Sequence, residues 1–280
     1  MKSVINCFKF YFIAIILLML LAYSCSENSK SISDDDKQRL LIKDNKIANI
    51  TEFKTVYLTG MQQKEQISKK QFFNKDGYKI YEENYKDDGT LNLTIYYTYE
   101  NNRLIVSKGL NADSTLLFNE TRSYFENGNR KELIFYLPDG TYKYRNVATY
   151  DNNNKMTELA WYWPEGLKAI NKFKYDGNRK TEDAEYGPDG KFRYKWKYVY
   201  DNKGNLIKSV QYNSTGNENA SLAITYNTLN QKVSEESLAG SGLKSKCVYE
   251  YNENKLVKTK TELSALNNVS ARYRYEYTFQ

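Results

Sequence analysis

Phe192–Asn205 reads Phe-Arg-Tyr-Lys-Trp-Lys-Tyr-Val-Tyr-Asp-Asn-Lys-Gly-Asn, and the rest of the chain repeats variations of this stretch. Aromatic residues occupy every second position from Phe192 to Tyr200. Alternation with period 2 puts successive side chains on opposite faces of a β-strand, so one face is aromatic and the other mainly cationic. The Asp-Asn-Lys-Gly-Asn that follows favours a turn, because Gly and Asn tolerate positive φ. The stretch therefore predicts a strand that runs into a hairpin turn.

The same unit recurs along the chain at intervals of 25 or 26 residues. Its aromatic residue stands at Phe73, Tyr99, Phe125, Tyr150, Tyr175, Tyr200, Tyr226, Tyr251 and Tyr277. A second turn follows half a period later, and Pro138, Pro164 and Pro188 each occupy its second position, where a type I turn favours proline. The pattern predicts an all-β fold, a repetitive antiparallel β-meander or ribbon of about nine two-strand repeats of 25–26 residues, twisted and curled.

The unit Tyr-Asp-x-x-Gly-Asn-Leu, best preserved at Tyr200–Leu206, resembles the YD (Rhs-type) repeat. It is more loosely similar to the Tyr-Gly repeats of MORN-like proteins. The resemblance implies a ribbon of antiparallel strands that winds with its tyrosines inward. Large members of the family enclose a toxic C-terminal domain, whereas this chain ends on a repeat strand, Ala271–Phe279. The likeness therefore implies a fold and assigns no activity.

The N-terminal segment predicts export and lipidation. Residues 1–24 combine two lysines with an apolar run that is too short to span a membrane. They end before Cys25 in a sequence that resembles the signal peptide and lipidation box of a bacterial, Bacteroidota-like lipoprotein, although ordinary signal cleavage is the alternative. Residues 25–45 are interpreted as a flexible tether, and residues 46–280 as the YD-like β-repeat domain. This interpretation places the protein at the outer membrane, facing the periplasm or the cell exterior, with the membrane as a partner through the lipid.

The acidic run Ser33–Asp36 allows two interpretations. It is similar to the surface-export signal of Bacteroidota lipoproteins, and it also suits a solvated stretch of the tether. Both stay open on the sequence alone.

Composition excludes several classes of active site. The chain has no histidine, which removes Ser-His-Asp and Cys-His catalysis and most zinc sites. Cys247 shares the parity of the neighbouring tyrosines and is predicted to be a buried, inert thiol. The turns vary too much in acidic oxygens to favour Ca²⁺, so we expect neither a metal nor a cofactor.

The formal net charge is +7, and the basic residues alternate along strands instead of forming one cluster. The pattern favours a solvated outer strand face that also protects sheet edges. An acidic partner such as a charged glycan is the alternative, and no nucleic acid is expected as a partner of an exported protein.

A candidate ligand site lies where two successive return strands carry apolar side chains at positions that are polar elsewhere. We expect these positions to face away from the tyrosine core. They include Phe135, Trp161 and Trp163, with Lys143 and Arg145 on the strand between them. The prediction is an aromatic patch framed by cations that stacks on sugar rings. The alternatives are that the ribbon buries this patch as a second small core, or that a bulge shifts the parity.

Three functions fit these observations. The leading hypothesis is a non-catalytic, lipid-anchored envelope or surface protein whose β-repeats present an extended surface to a glycan or protein ligand. The second is a glycan-active enzyme with a carboxylate-based site. The third, suggested by family analogy, is an immunity or accessory partner of a secreted toxin.

Overall fold

A computed structural model of the chain describes residues 34–58, 61–239 and 242–280. One helix, α1 (Asp34–Asp44), precedes a long series of antiparallel strands. The predicted signal peptide and the predicted lipidation site at Cys25 lie outside the described residues.

The strands are β1 (Ile47–Leu58), β2 (Met61–Gln62), β3 (Gln66–Phe73), β4 (Lys79–Tyr85), β5 (Leu91–Glu100), β6 (Arg103–Asn111), β7 (Leu116–Tyr124), β8 (Arg130–Tyr136), β9 (Tyr142–Tyr150), β10 (Met156–Trp163), β11 (Gly166–Asp176), β12 (Arg179–Tyr186), β13 (Phe192–Tyr200), β14 (Leu206–Asn213), β15 (Glu218–Tyr226), β16 (Lys232–Ala239), β17 (Gly242–Tyr251), β18 (Val257–Ser264) and β19 (Val269–Phe279). Their existence confirms the predicted antiparallel meander of two-strand repeats.

The meander closes on itself. Strand β1 pairs with β19 from Ile47–Phe279 to Val56–Ala271, and on its other side it pairs with β3. The short β2 only extends the end of β1, so 18 of the 19 strands form a closed barrel. The twisted and curled ribbon of the prediction is therefore a barrel with no free edge between its first and last strands.

Each hairpin turn carries its own bulge. After Tyr200, the Gly204 N–H donates to the Asp201 carbonyl at 3.1 Å, and Gly204 has φ of 89°. A type I turn followed by a left-handed residue inserts one extra residue into the returning strand. The register accordingly shifts between Val199 and Tyr200. Similar shifts occur in every pairing around the barrel, so the inward or outward direction of a side chain changes at each turn.

The repeat aromatics point into the barrel. In β13, Trp196 is 9% exposed, whereas Val199 on the other face is 47% exposed. Inward-facing residues in the middle of the strands are buried at 1–3% exposure, among them Leu133, Asn146 and Asp183. Most inward-facing aromatic side chains are half-buried rather than buried, as in Tyr194 and Tyr198. We call the enclosed space the lumen.

The outward face of the barrel is charged and suits contact with water. It carries cross-strand ion pairs in the middle of strands, and a cation facing lipid at the bilayer midplane costs about 2–4 kcal/mol. These pairs include Lys172–Glu158 at 3.0 Å, Lys174–Glu182 at 2.8 Å, Arg145–Glu132 at 2.9 Å and Lys246–Glu236 at 2.8 Å.

The two mouths of the barrel differ. At one mouth, which we call the tyrosine mouth, a tyrosine at or near the end of every second strand from β7 to β19 donates its hydroxyl to a carbonyl at the start of the preceding strand. The bonds, 2.7–3.1 Å long, are Tyr124–Leu104, Tyr150–Arg130, Tyr175–Met156, Tyr200–Lys180, Tyr226–Leu206, Tyr251–Lys232 and Tyr277–Val257. We call the other end, where the proline-containing turns lie, the glycine mouth.

Helix α1 lies at the tyrosine mouth and corrects the predicted tether over residues 34–44. Ile42 is 3% exposed and joins a buried cluster with Ile47, Ile50 and Leu256. The guanidinium of Arg39 lies 4.8 Å from the ring centroid of Tyr78. The helix forms because its acidic first turn complements the helix dipole and because this apolar contact offsets the cost of ordering. The export role of the acidic run stays a prediction.

The closed barrel makes the length of a deletion decisive. Removing Tyr175–Val199, 25 residues, deletes two strands and leaves an even number, so the last strand still meets β1 antiparallel. Removing Tyr175–Tyr186 deletes one strand and reverses every later one, which destroys the β1–β19 pairing. We expect a soluble, β-rich monomer from the first deletion and aggregation from the second. Circular dichroism and gel filtration measure the difference, and equal behaviour would contradict the closed meander.

Candidate functional site

The predicted site residues divide between the two faces of the wall. Strand β9 lies between β8 and β10, as expected. Phe135, Trp161 and Trp163 face the lumen, because Phe135 lies opposite Tyr144 and Trp161 opposite Asn146. The expectation that they face away from the tyrosine core is wrong. A bulge at each turn shifts the parity of the return strands by one residue.

The two predicted cations take different positions. The Lys143 Nζ lies 6.0 Å from the ring centroid of Phe135. Arg145 instead points outward, where it lies 4.8 Å from the ring of Tyr162 and pairs with Glu132 at 2.9 Å. The prediction that both cations border the aromatic patch is therefore wrong for Arg145.

Five lumenal rings form a continuous surface at the glycine mouth, which we call the aromatic track. Its members, in order across β7 to β10, are Phe118, Phe135, Tyr144, Trp161 and Trp163. Phe118 stacks on Phe135 with 5.1 Å between ring centroids, and Phe135 stacks on Tyr144 at the same distance with planes 13° apart. Tyr144 then contacts Trp161 at 5.9 Å and Trp163 at 6.5 Å.

The rings of the track overlap because the first one lies flat on the backbone of β6. A Cβ built on Gly109 would lie 2.2–2.8 Å from three ring atoms of Phe118. A Cβ at this position points into the lumen, so the Phe118 ring covers Gly109 instead of standing beside it. Parallel rings 5.1 Å apart must overlap with an offset, and each therefore keeps part of one face toward the lumen.

The track is accessible to solvent. Four of its rings are half-buried, and Trp163 at the rim is 37% exposed. Rings of this size in a packed core would be fully buried. The arrangement can thus offer about 20 Å of apolar wall to a ligand in the lumen, taking about 4.8 Å per strand.

Polar groups border the track on the side of the tyrosine mouth. Glu120 lies opposite Phe135 and Ser107, and it is held by an ion pair with Arg122. Burial raises the pKa of Glu120, which is 9% exposed, against the opposing effect of two arginines. Arg122 also donates to the Ser107 hydroxyl at 3.3 Å. The border thus offers a carboxylate and a guanidinium next to the rings.

A second polar group anchors the track at Trp161. Its indole Nε1 donates to Asn171 at 3.1 Å, and Asn171 donates in turn to the Asp183 carboxylate at 3.0 Å. Burial raises the pKa of Asp183, which is 1% exposed, and Lys180 opposes that shift from 3.7 Å. The chain of bonds fixes the orientation of the indole.

The same combination of acid, cation and ring recurs around the lumen wall. Lys79 pairs with Glu82 at 2.6 Å and lies 4.7 Å from the ring of Tyr97. Burial acts to raise the pKa of Glu82, yet Lys79 holds it below its usual value. Similar groups are Lys232 with Glu235 and Tyr249, and Lys260 with Glu262 and Tyr273. These groups neutralise the buried charges of the wall.

Sequence reasoning missed Phe118 and Tyr144, which join the predicted rings into one surface. Tyr144 could have been found, because its position in β9 matches that of Tyr194 in β13. Phe118 holds the matching position in β7, six residues before Tyr124, but a repeat counted from Phe125 places it one residue out of phase.

Two further observations concern the described residues. Cys247 is half-buried on the lumen wall, and burial raises the pKa of its thiol. Within residues 34–58, 61–239 and 242–280, no helix has the length and apolar character needed to cross a membrane.

Comparisons with known proteins show distant likeness in structure. No family model and no curated protein matches the chain. A porin-like protein from Bacteroides uniformis is 12% identical with a TM-score of 0.45, covering 84% of this chain and 98% of its own. A porin-like protein from Bacteroides vulgatus is 13% identical with a TM-score of 0.37, covering 83% and 98%. The Photorhabdus luminescens Tc holotoxin pore is 12% identical with a TM-score of 0.36, covering 79% of this chain but 14% of its own.

Replacing Gly109 tests how the track is built. Its backbone is not left-handed, so Gly109→Ala adds only a methyl group where the Phe118 ring lies. We expect a loss of about 1–3 kcal/mol in unfolding free energy from overpacking. Urea denaturation measures the loss, and near-UV circular dichroism follows the ring stack. Phe118→Leu should make room for the methyl group, so the double variant should lose less than the sum of the single losses. Strictly additive losses would contradict the overlap.

Proposed function

We propose that this chain is a non-catalytic, lipid-anchored protein of the bacterial envelope that binds a glycan in the lumen of its barrel. The ligand surface is the aromatic track at the glycine mouth, where Trp163 is 37% exposed. The observation that carries the proposal is the overlapping set of half-exposed rings, Phe118 to Trp163.

Exposed rings in a solvated barrel are costly unless they serve binding. Each ring leaves apolar surface in contact with water that burial would stabilise by about 25 cal/mol per Å². The exposed rings also form one contiguous surface, which in soluble proteins marks an interaction site. The track therefore suits a ligand that covers several neighbouring rings together.

The border of the track favours a glycan over a protein ligand. A sugar ring has an apolar C–H face, which packs on an aromatic ring, and hydroxyls around its edge. Glu120 and Arg122 lie beside the rings and offer a charged acceptor and a charged donor to those hydroxyls. Lys143 adds a further donor near Phe135 at the rim.

The positions of the two mouths suit anchoring by a lipid. Helix α1 brings the N-terminal part of the chain to the tyrosine mouth, and the track lies at the opposite end of the barrel. A lipid on Cys25, nine residues before Asp34, would hold the tyrosine mouth within about 30 Å of the membrane at full extension. The glycine mouth then faces away from the membrane, toward a ligand.

The acids near the track support binding rather than hydrolysis. Asp183 lies on the lumenal face opposite Trp196, but it is 1% exposed and its carboxylate is engaged within the wall by Asn171 and Lys180. A general acid of a glycosidase must reach the leaving-group oxygen of its substrate.

Removing the two tryptophans tests glycan binding. The double variant Trp161→Ala, Trp163→Ala should lose binding about 30-fold or more, as for the central aromatic residues of other binding sites. A glycan array with the purified full-length chain measures binding, and thermal unfolding measures stability. Trp196→Ala is the matched control, because Trp196 is a lumenal tryptophan outside the track. It should lower the Tm and leave binding unchanged.

Two results would contradict the proposal. The first is a wild-type chain that binds no glycan on the array, which would favour the protein-ligand alternative. The second is a tryptophan double variant that binds as tightly as the wild type.

Replacing Cys25 tests the anchor separately. Cys25→Ala should move the protein from the membrane fraction to the soluble fraction, because it removes the acylated thiol. Fractionation with a carbonate wash measures the change, and Cys247→Ala is the control that should stay with the membrane. A Cys25→Ala chain that still resists the wash would contradict lipidation.

A further inference from the structure

The carboxamide of Asn146 has no hydrogen-bond partner among the protein's own atoms. Its side chain is 1% exposed, and both Oδ1 and Nδ2 are buried. A buried amide that leaves both groups unpaired lowers the stability of the fold. A residue of this kind calls for a reason beyond folding.

Asn146 lies in the middle of the aromatic track. It faces the lumen opposite Leu133 on one neighbouring strand and opposite Trp161 on the other. Tyr144 precedes it by two residues on the same face of β9. The unpaired amide is thus flanked by two of the rings proposed to bind the ligand.

A second lumenal asparagine near the track has the opposite character. Asn171 accepts a hydrogen bond from Trp161 and donates one to Asp183, so both ends of its carboxamide are used inside the protein. An asparagine on this wall can therefore be satisfied by its neighbours. The neighbours of Asn146 are instead Leu133, Tyr144 and Trp161.

We propose that Asn146 is the residue by which the track selects its ligand, through hydrogen bonds to sugar hydroxyls. This inference rests on the proposed glycan-binding function and adds a determinant to it. The carboxamide presents one acceptor and one pair of donors side by side. That combination matches two neighbouring hydroxyls of a sugar, one donating and one accepting.

Access of a ligand to Asn146 requires the Tyr144 ring to move aside, because Trp161 is held in place by its hydrogen bond to Asn171. Tyr144 is half-buried at the lumen surface and precedes Asn146 by two residues on the same face of β9, so rotation of its side chain is the movement that exposes the amide. A site that hydrogen-bonds a substrate hydroxyl rejects an analogue that lacks it, because the buried polar group is then left unpaired. Asn146 therefore supplies the discrimination that stacking on flat rings cannot provide.

The test compares two Asn→Leu variants of the full-length chain. Asn146→Leu removes an unpaired amide inside the track. Asn129→Leu is the matched control, because Asn129 is 2% exposed at the tyrosine mouth and donates to Asn154 at 3.2 Å. The probes are the tightest-binding neutral oligosaccharide from the glycan array and its permethylated form. Calorimetric titration measures affinity, and thermal unfolding measures stability.

The expected results have opposite signs at the two sites. Asn146→Leu should raise the Tm and lower the affinity for the oligosaccharide by about tenfold. It should also remove the preference for the oligosaccharide over its permethylated form. Asn129→Leu should lower the Tm and leave both affinities unchanged.

Each other outcome is decisive. If Asn146→Leu keeps the affinity and the preference while the tryptophan double variant loses binding, glycan binding stands and the role of Asn146 is overturned. If the wild type binds no oligosaccharide, the proposed function itself fails, and the role of Asn146 fails with it. If Asn146→Leu loses affinity for both probes equally, the amide positions the rings and does not select hydroxyls, which also overturns the inference.

Discussion

The hydrogen-bonded pairing of β1 with β19 is the constraint on which the rest of the structure depends. An antiparallel meander leaves two unpaired edges, and an edge with free N–H and C=O groups invites pairing with another chain. Joining the first strand to the last removes both edges. The join is antiparallel only if the strand number is even, which a chain built from two-strand repeats satisfies by its construction. Closure, in turn, separates a lumen from an outer face and gives each face its own chemistry.

The tyrosines hold the wall at one mouth. Seven tyrosines along every second strand from β7 to β19 turn their rings into the lumen, and each donates its hydroxyl to a carbonyl at the start of the preceding strand. That carbonyl lies where the bulge at the turn interrupts the ladder, so the hydroxyl satisfies a group that the strand pairing leaves free. The tyrosine thus supplies apolar area and a polar handle at the same point. The glycine mouth has no such regular set of bonds among the described residues.

The chemistry of the two faces points to a barrel that works in water. Ion pairs in the middle of outer strands, such as Lys172 with Glu158, suit a solvated exterior. The lumen is also polar around most of its wall, where buried acids are neutralised by lysines that lie over tyrosine rings. The aromatic track interrupts that pattern over four strands and holds the unpaired amide of Asn146. The wall is locally less stable there than it could be, which is common where a protein binds its ligand.

The sequence by itself determined the repeat, the strands and the turns. Alternation in Phe192–Tyr200 and the left-handed preference of residues such as Gly204 are local properties, and they act within a few residues of the chain. The sequence only partly predicted which side chains face the lumen, because a bulge at each turn shifts the inward–outward alternation of the next strand by one residue. For this reason Phe135 and Trp161 were placed on the wrong face, although they were correctly singled out. Tertiary structure alone decided the closure of the barrel, in which Ile47 pairs with Phe279, more than two hundred residues away. It also decided that the Phe118 ring packs over the backbone of Gly109. Both depend on strands meeting in space, and no local propensity encodes such a meeting.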